Sequence, residues 1–586
     1  MNADRRLRNG EFPYGQLLFA WAAVCAILLL TNAARLITGR FPDPDDVLRL
    51  IQVRDLLAGQ GWFDLTQYRI DPPTGTVMHW SRLADIPLLL VIWALAPLMG
   101  QAAAEGVAVI AVPLLTFLVA AMAIGRLAWR LFDARVAVFS VLACGFLPPM
   151  LFQFQPMRID HHGWQVASVA VALWAISRRS QGPSGAIAGL AMAFGISISI
   201  ELLPMAAVFG LVLFARWWSD HKLRSWLMAY MGALALGLVA FYAATRGTSL
   251  AAYCDAVSPA HLAFFLVAAA GTWIIANAVR LRGFGLLFLF ACVGATAAAC
   301  FAAISPSCLA TPFATLDPLV DRLWYQLVFE GQPLWKQDAA VWIPALIQMG
   351  AALGTVAVLR MRSMEWMRGW WSEYLVLLLA SIALGLLVAR SIAFASIIAA
   401  IPLGWLASSL LLRLRQPGAP LSAVVTVLAM IVMLAPMSVV MAVRAVLPAQ
   451  ESPVQNVGST SCDIYVNAPL LAKLDKGTVF APLDMGPAIL LETHHSVVAT
   501  GHHRANEAMA AVIGGFLAEP TTARAIVKAK GASYLALCTD IAETRLYAHE
   551  APDGLAAHIV KGEAPEWLEK VEVGGPPELA VYRIRP

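Results

Sequence analysis

The sequence predicts an α-helical polytopic membrane protein with a small α/β domain at its C-terminal end. Three observations carry this. Of 586 residues, 60% are hydrophobic and only 13% are charged, and the mean hydropathy is +0.70. The apolar residues up to about position 450 come as continuous runs long enough to cross a bilayer. Beyond Leu447 the pattern changes to short β-like runs alternating with helical stretches.

Apolar runs inside a bilayer must be helices, because each backbone group needs a partner within its own segment. Their orientation follows from the basic loops, since Lys and Arg mark the cytoplasmic side. The basic segments are Arg5-Arg6-Arg8, Arg126 to Arg135, Arg178-Arg179, Arg216 to Arg224, Arg280-Arg282, Arg360 to Arg368 and Arg413-Arg415. Successive clusters leave room for two spans each. The stretch before Arg126 offers three apolar runs, 16–37, 86–99 and 104–125, and three crossings would put Arg126 on the wrong side. The middle run is short and holds Pro87 and Pro97, so it is expected to lie on the outer surface.

About thirteen transmembrane helices result, near 16–37, 104–125, 134–153, 163–178, 184–200, 203–217, 225–245, 258–278, 283–304, 339–359, 372–389, 392–412 and 421–446. The first lacks a small-residue cleavage site and is followed by acids, so it reads as a retained anchor. The expected organisation is a transmembrane domain, 1–447, with large outer loops at 38–103 and 305–338, and an extracytoplasmic domain, 448–586. The N-terminus is then cytoplasmic, in the plasma membrane (a bacterial inner membrane), with shorter outer loops at 154–162 and 246–257. In the tail, Thr478-Val479-Phe480, Ser496-Val497-Val498 and Leu579 to Tyr582 read as strands, and Ala505 to Leu517 and Thr521 to Lys530 as helices.

The net charge of +4 is small and dispersed, so nucleic acid is not an expected partner. Eight cysteines form no CxxC pair. Six lie in or beside apolar runs and read as packing residues. Cys462 and Cys538 both fall in the tail, where an extracytoplasmic setting allows a disulfide.

The chemistry is expected where the charge collects. Asp43, Asp45 and Asp46, Asp160-His161-His162 and Glu330 all fall on the outer side of this topology. Hydrocarbon excludes charge, so carboxylates and imidazoles gathered at one membrane surface point to chemistry there. Asp43 or Asp45 can cap the helix that runs through Arg54-Asp55 to Gly59, which accounts for one carboxylate. Three acids within four residues repel one another, and a hard divalent cation relieves that repulsion. Asp160 and His162 can approach one ion from nearby turn positions, and an imidazole suits Mn²⁺ better than Mg²⁺. Arg158 can pair with Asp160 or meet a phosphate.

Glu330 is either a solvated loop acid or a third carboxylate for the same site. Arg390, at the outer end of a span, is either a snorkelling anchor or a phosphate ligand. Glu201 lies between two apolar runs, where an unpaired charge costs roughly 2.5–3.5 kcal/mol at mid-membrane; it reads as interfacial or paired, with no assigned role. His79-Trp80-Ser81-Arg82 reads as an interfacial belt or, through His79 and Arg82, as a phosphate contact. His494-His495 and His502-His503-Arg504 resemble a metal tract, but adjacent histidines on a strand face opposite ways, so one of each pair at most could ligate.

Taken together, the pattern resembles the catalytic subunit of oligosaccharyltransferase, a membrane glycosyltransferase of the GT-C class. The likeness covers the architecture: thirteen spans, large first and later outer loops, and an outer C-terminal domain. In that family an Asp of the first outer loop precedes a helix ending in Arg-Asp, as Asp45 precedes Arg54-Asp55. The Asp-x-His motif matches Asp160-His161-His162, the later-loop glutamate corresponds to Glu330, and the arginine that meets the lipid pyrophosphate to Arg390. The acceptor motif Trp-Trp-Asp-Tyr-Gly is reduced here to Asp484 and Gly486 in Pro482-Leu483-Asp484-Met485-Gly486, without the tryptophans.

The resemblance and the residues imply a GT-C-like fold and transfer of a sugar or oligosaccharide from a polyprenyl-(pyro)phosphate donor. Mn²⁺ or Mg²⁺ would be held by Asp45, Asp160, His162 and Glu330, and phosphate by Arg158 and Arg390, with His79 and Arg82. Asp46 or Asp43 would orient or deprotonate an acceptor that is protein, glycolipid or polysaccharide. The other classes weighed are a multi-pass transporter or flippase, which would hold charge near the midplane on broken helices, and a scaffold anchored by its spans.

Overall fold

The computed structural model describes residues 11–278, 282–310, 313–415, 420–437, 439–441 and 461–586. The chain divides into two compact units. Met1–Thr38, Trp80–Thr311 and Phe329–Pro448 form the first, and Gly39–His79, Pro312–Val328 and Ala449–Pro586 the second. The basic residues Arg5, Arg6, Arg8 and Arg280, and positions 438 and 442–446 of the last expected span, lie outside the described residues.

The first unit is helical, and the expected spans fall on helix over their described residues, the last as Pro420–Leu434. Nine helices among the described residues are long and apolar enough to cross a membrane, from Tyr14–Thr31 to Ala389–Leu414, so the chain is a multi-pass membrane protein. The run at 86–99 is the helix Asp85–Met99; at 15 residues it is shorter than a typical span of about 20 residues. Leu90, Trp93 and Leu98 stand exposed along it.

One expected span is not a single rod. The run at 134–153 folds as Ala134–Cys144 and Pro148–Phe154, which meet at 78°. Pro148 and Pro149 have no N–H to give the carbonyls one turn back, so the helix cannot continue through them. Asp133 starts the first piece by accepting from the Val136 N–H at 2.9 Å.

Helix packing in this unit depends on small residues. A Cβ at Gly185 would sit 2.5 Å from the Trp226 carbonyl oxygen, and one at Gly189 2.2 Å from that of Tyr230. Gln181–Ile198 therefore approaches Arg224–Arg246 backbone to backbone, as small-xxx-small pairs allow. Trp217, Tyr230, Trp371, Tyr374 and Phe154 are fully buried in the same core. The Ile392–Leu414 helix is covered on nearly every side, and a helix apolar all round belongs in such a place.

The second unit holds a five-stranded sheet of order β4-β3-β5-β7-β6. Its strands are β3 (Thr478–Phe480), β4 (Ser496–Val497), β5 (Tyr534–Cys538), β6 (Leu568–Lys570) and β7 (Leu579–Ile584). β3 is parallel to β4 and β5, whereas β7 is antiparallel to β5 and β6. Helices Asn506–Leu517 and Ala542–Glu550 bury Phe516 and Tyr547; these rings stack at 5.9 Å, and Phe480 lies 5.2 Å from Phe516.

The unit is more than the tail. The 39–79 segment contributes the hairpin β1 (Thr66–Gln67) and β2 (Thr76–Val77), and Ile70 makes a parallel bridge to Val497 of β4. Arg69 donates to the Thr493 and His495 carbonyls at 2.6 Å each. Lys530 pairs with Asp71 at 3.1 Å.

Cys462 and Cys538 are disulfide-bonded, as the tail's character suggests. Two of the cysteines read as packing residues are not free: Cys254 and Cys308 form a second disulfide, linking the loops at 246–257 and 305–338. Proximity to apolar runs concealed their true neighbours, which are each other. Cys25, Cys144, Cys292 and Cys300 are free thiols.

Candidate functional site

The bend at Pro148 leads into a tight turn that sets up the site in the first unit. Met157 takes a left-handed φ of 69°, and its N–H bonds back to the Val109 carbonyl at 2.9 Å. The next helix, His162–Ile176, starts against the preceding segment: a Cβ at Gly163 would lie 2.8 Å from the Gln153 carbonyl oxygen. Asp160 accepts from the His162 N–H at 3.0 Å and so orders the first turn of that helix.

The same carboxylate organises the side chains. Asp160 Oδ2 lies 2.6 Å from His162 Nδ1 and 3.0 Å from Arg158 Nη2. Arg158 and Asp160 are almost completely buried, and the Arg158 guanidinium lies over the Phe152 ring at 4.9 Å. Arg158 Nη2 also reaches Glu330 Oε2 at 3.7 Å. Arg390, just before the Ile392–Leu414 helix, pairs with Glu330 at 3.2 Å and more closely with Glu201. Glu201 Oε2 is 3.8 Å from His162 Nε2. Two guanidiniums, three carboxylates and an imidazole thus form one connected network.

This network sets the protonation of its loop carboxylates. Burial pushes Asp160 up, but Arg158 and His162 outweigh it and hold the carboxyl well below its usual range. Burial likewise raises Glu330, while Arg158, His162 and Arg390 bring it down below the ordinary glutamate value. Both acids are therefore anionic at neutral pH, and both guanidiniums have counter-charges on either side.

The donor set fits a metal ion. One ligand atom from each of Asp160, His161 and His162 lies within 4.8 Å of the others. His162 Nε2 is buried and has no hydrogen-bond partner among the described residues. Its ring is oriented through Nδ1 by Asp160, as carboxylates orient metal-ligating histidines. An oxygen–imidazole set of this kind suits Mn²⁺ or Zn²⁺ better than Mg²⁺.

Of the expected site residues, Arg158, Asp160, His162, Glu330 and Arg390 come together in the first unit. Glu201, which the sequence left without a role, belongs with them; its charge between two apolar runs was the only signal. Arg82 is fully buried, 3.3 Å from an equally buried Asp85.

Asp45, Asp46 and His79 are in the second unit. There Asp43 caps the Pro44–Leu57 helix by accepting from the Asp45 N–H at 2.9 Å, so the capping role is real. Asp46 is fully buried. Burial raises the Tyr465 phenol above its usual range, and the nearby charges of Asp46, Asp43 and Asp484 raise it further. Asp43, Asp46 and Asp484 therefore share one neighbourhood. Glu543 braces it by accepting from the Leu483 and Asp484 N–H groups at 2.7 and 2.8 Å and from the Tyr547 hydroxyl at 2.6 Å.

The fold is GT-C-like and is shared with solved archaeal oligosaccharyltransferase structures. Among solved structures the chain is similar to the archaeal oligosaccharyltransferase AglB from Archaeoglobus fulgidus in complex with an inhibitory peptide and a dolichol-phosphate. That match has a TM-score of 0.68 at 13% identity, over 96% of this chain and 73% of that one. The apo form of the Archaeoglobus fulgidus oligosaccharyltransferase gives 0.67 at 12% identity, over 94% and 73%. Its complex with Zn and sulfate gives 0.58 at 12%, over 97% and 73%. No family model matches the chain, and no curated protein does.

Proposed function

We propose that the protein is a glycosyltransferase that moves a sugar or oligosaccharide from a polyprenyl-(pyro)phosphate donor to an acceptor on the extracytoplasmic face. The observation that carries this is the Arg158–Asp160–His162–Glu201–Glu330–Arg390 network, which combines paired guanidiniums with an oxygen–imidazole donor set. Planar guanidiniums suit phosphate oxygens, and the GT-C fold supports a lipid-linked donor. The AglB structure with a dolichol-phosphate is consistent with it.

In this reading Arg390 and Arg158 bind the donor phosphate, exchanging part of their contact with Glu330 for contact with the lipid headgroup. Preorganised positive charge there stabilises the leaving phosphate as its bond to the sugar breaks. His162, Asp160 and Glu330 would hold a divalent ion, with Asp45 the expected contributor from the first outer loop; the ion supplies Lewis-acid neutralisation of charge on phosphate oxygen. His161, stacked on His162 at 4.1 Å, keeps that ring in place. In the second unit, Asp43 or Asp46 would orient the acceptor or accept its proton. Arg82, which pairs with Asp85, remains an expected phosphate contact.

The orientation places the N-terminus in the cytoplasm and the tail outside. Disulfides in both the 246–257/305–338 loops and the tail support it, since such bonds persist in oxidising compartments. The acceptor is either protein or a glycolipid or polysaccharide. Membranes supplied with labelled polyprenyl-linked donor test both points. Label should enter one acceptor fraction and fall at least about 100-fold in Asp45→Ala and Asp160→Ala. Wild-type transfer in both variants would remove the proposal.

A further inference from the structure

A second cluster of metal-ligating side chains, independent of the network above, lies in the second unit. His79 follows β2 at the end of the 39–79 segment, while His502 and His503 follow β4 in the tail. The three ring centroids are 4.9 to 5.1 Å apart, and one ligand atom of each lies within 4.8 Å of the others. His79 Nδ1 and His502 Nε2 are 2.9 Å apart, although 423 residues separate them in sequence.

The adjacent pair meets here because His502 and His503 do not lie on a strand. His502 is extended, with φ −114° and ψ 110°, but His503 opens a short 3₁₀ turn, His503–Ala505. The alternation that would send neighbouring side chains to opposite faces is therefore broken. The surroundings fix all three rings. Arg504 donates to the Met78 carbonyl at 3.2 Å, pinning the backbone beside His79 to the backbone after His503. Phe313 meets His503 edge-on at 5.2 Å, backed by Tyr325 at 4.7 Å. A Cβ at Gly501 would lie 2.9 Å from Trp324 Nε1, so a side chain there would push the turn away.

We propose that His79, His502 and His503 bind a Zn²⁺ ion. A cluster of three imidazoles suits zinc and its late transition-metal neighbours better than Mg²⁺, Mn²⁺ or Ca²⁺. Nitrogens bound to tetrahedral zinc at about 2.0–2.1 Å are about 3.3 Å from one another, so the 2.9 Å pair need open only slightly. His502 is buried while His79 and His503 are half-buried, which gives the ion a route in. Three protein ligands leave the fourth position open to water or an anionic oxygen. The ion clamps the 39–79 segment to the tail within the second unit. It does not depend on the transferase reading, and it assigns His79 to a metal in place of a lipid phosphate.

The test is metal content and Zn²⁺ titration of the full-length protein in detergent after chelation, with Co²⁺ as a spectroscopic probe. Wild type and Asp160→Ala should both bind Zn²⁺ at this site and give the absorption of tetrahedral Co²⁺. His502→Ala/His503→Ala should lose one equivalent, or bind it about 100-fold more weakly. His79→Gln, which keeps a polar side chain of similar reach, guards against misfolding and should lose the same equivalent while keeping the Cys462–Cys538 bond. Equal zinc binding in wild type and His79→Gln would overturn the proposal, and so would loss of the tetrahedral Co²⁺ signal in Asp160→Ala alone.

Discussion

Asp160 Oδ2 stands 2.6 Å from His162 Nδ1, and this contact turns the opposite ring nitrogen toward Glu201. With Nδ1 held by Asp160, Nε2 is the ring atom that faces the site. Asp160→Asn preserves the shape of the turn but swaps half of the acceptor for a donor. Metal affinity is expected to fall about 10–100-fold, measured by Mn²⁺ titration of purified protein. An unchanged affinity would show that Asp160 neither ligates nor orients.

Arg390 divides its guanidinium between Glu201 and Glu330. Lysine offers one point charge and cannot serve both. Arg390→Lys should raise KM for the lipid-linked donor about tenfold with a smaller change in kcat, a loss of about 1.4 kcal/mol of binding. Steady-state kinetics in detergent separate the two parameters. A fall in kcat at constant KM would place Arg390 in the transition state and not in donor binding.

Gly189 has no room for a side chain against the Tyr230 carbonyl. Gly189→Ala must push the two helices apart and is expected to cost about 1–3 kcal/mol. Thermal unfolding in detergent reads this as a lowered midpoint. Gly350→Ala, at a glycine with open space around it, is the control that should leave the midpoint in place.

Asp64 contributes to the pH dependence of the 39–79 segment. It accepts from the Thr66 N–H at 2.9 Å and the Tyr68 hydroxyl at 3.0 Å. Burial raises its carboxyl, but the bonds from Thr66, Tyr68 and Gln60 prevail and hold it below the usual aspartate value. A depressed folded-state value means the stabilisation is complete above the unfolded aspartate pKa and is lost as pH falls through the folded one. The midpoint gap between wild type and Asp64→Asn should be constant near neutrality and close below about pH 4. A gap that widens on acidification would contradict the hydrogen-bond account.

The cysteines give a count. Denatured, unreduced protein should take up four equivalents of maleimide, at Cys25, Cys144, Cys292 and Cys300, and reduced protein eight. Eliminating the Cys462–Cys538 bond by Cys462→Ser should lower stability by about 2–4 kcal/mol. Six or more reactive thiols before reduction would remove at least one of the bonds.

The helices of the first unit were legible in the sequence because hydropathy is a property of continuous segments, and a bilayer reads it as such. Asp160, His162, Glu330 and Arg390 stood out for the same reason, as charge where charge is costly. Contacts between distant positions were not legible. Glu201 shows no sign in one dimension that it meets both Arg390 and His162, and Cys254 shows none that it meets Cys308. The central strand Tyr534–Cys538 escaped notice because it is buried on both faces and lacks the alternation that marks a half-exposed strand. The break at Gly145 to Leu147 was written in Pro148-Pro149, but the apolar run around it masked the signal.

The bridge from Ile70 to Val497 has a consequence for how the protein is made. β4 is otherwise an edge, and an unpaired edge is a template for aggregation. Its cover emerges from the ribosome 427 residues earlier, counted from Ile70 to Val497, so the 39–79 segment must wait while the intervening helices are synthesised and inserted. Closure of the second unit is therefore a late event, and expression of residues 461–586 alone would yield a sheet with one side unguarded.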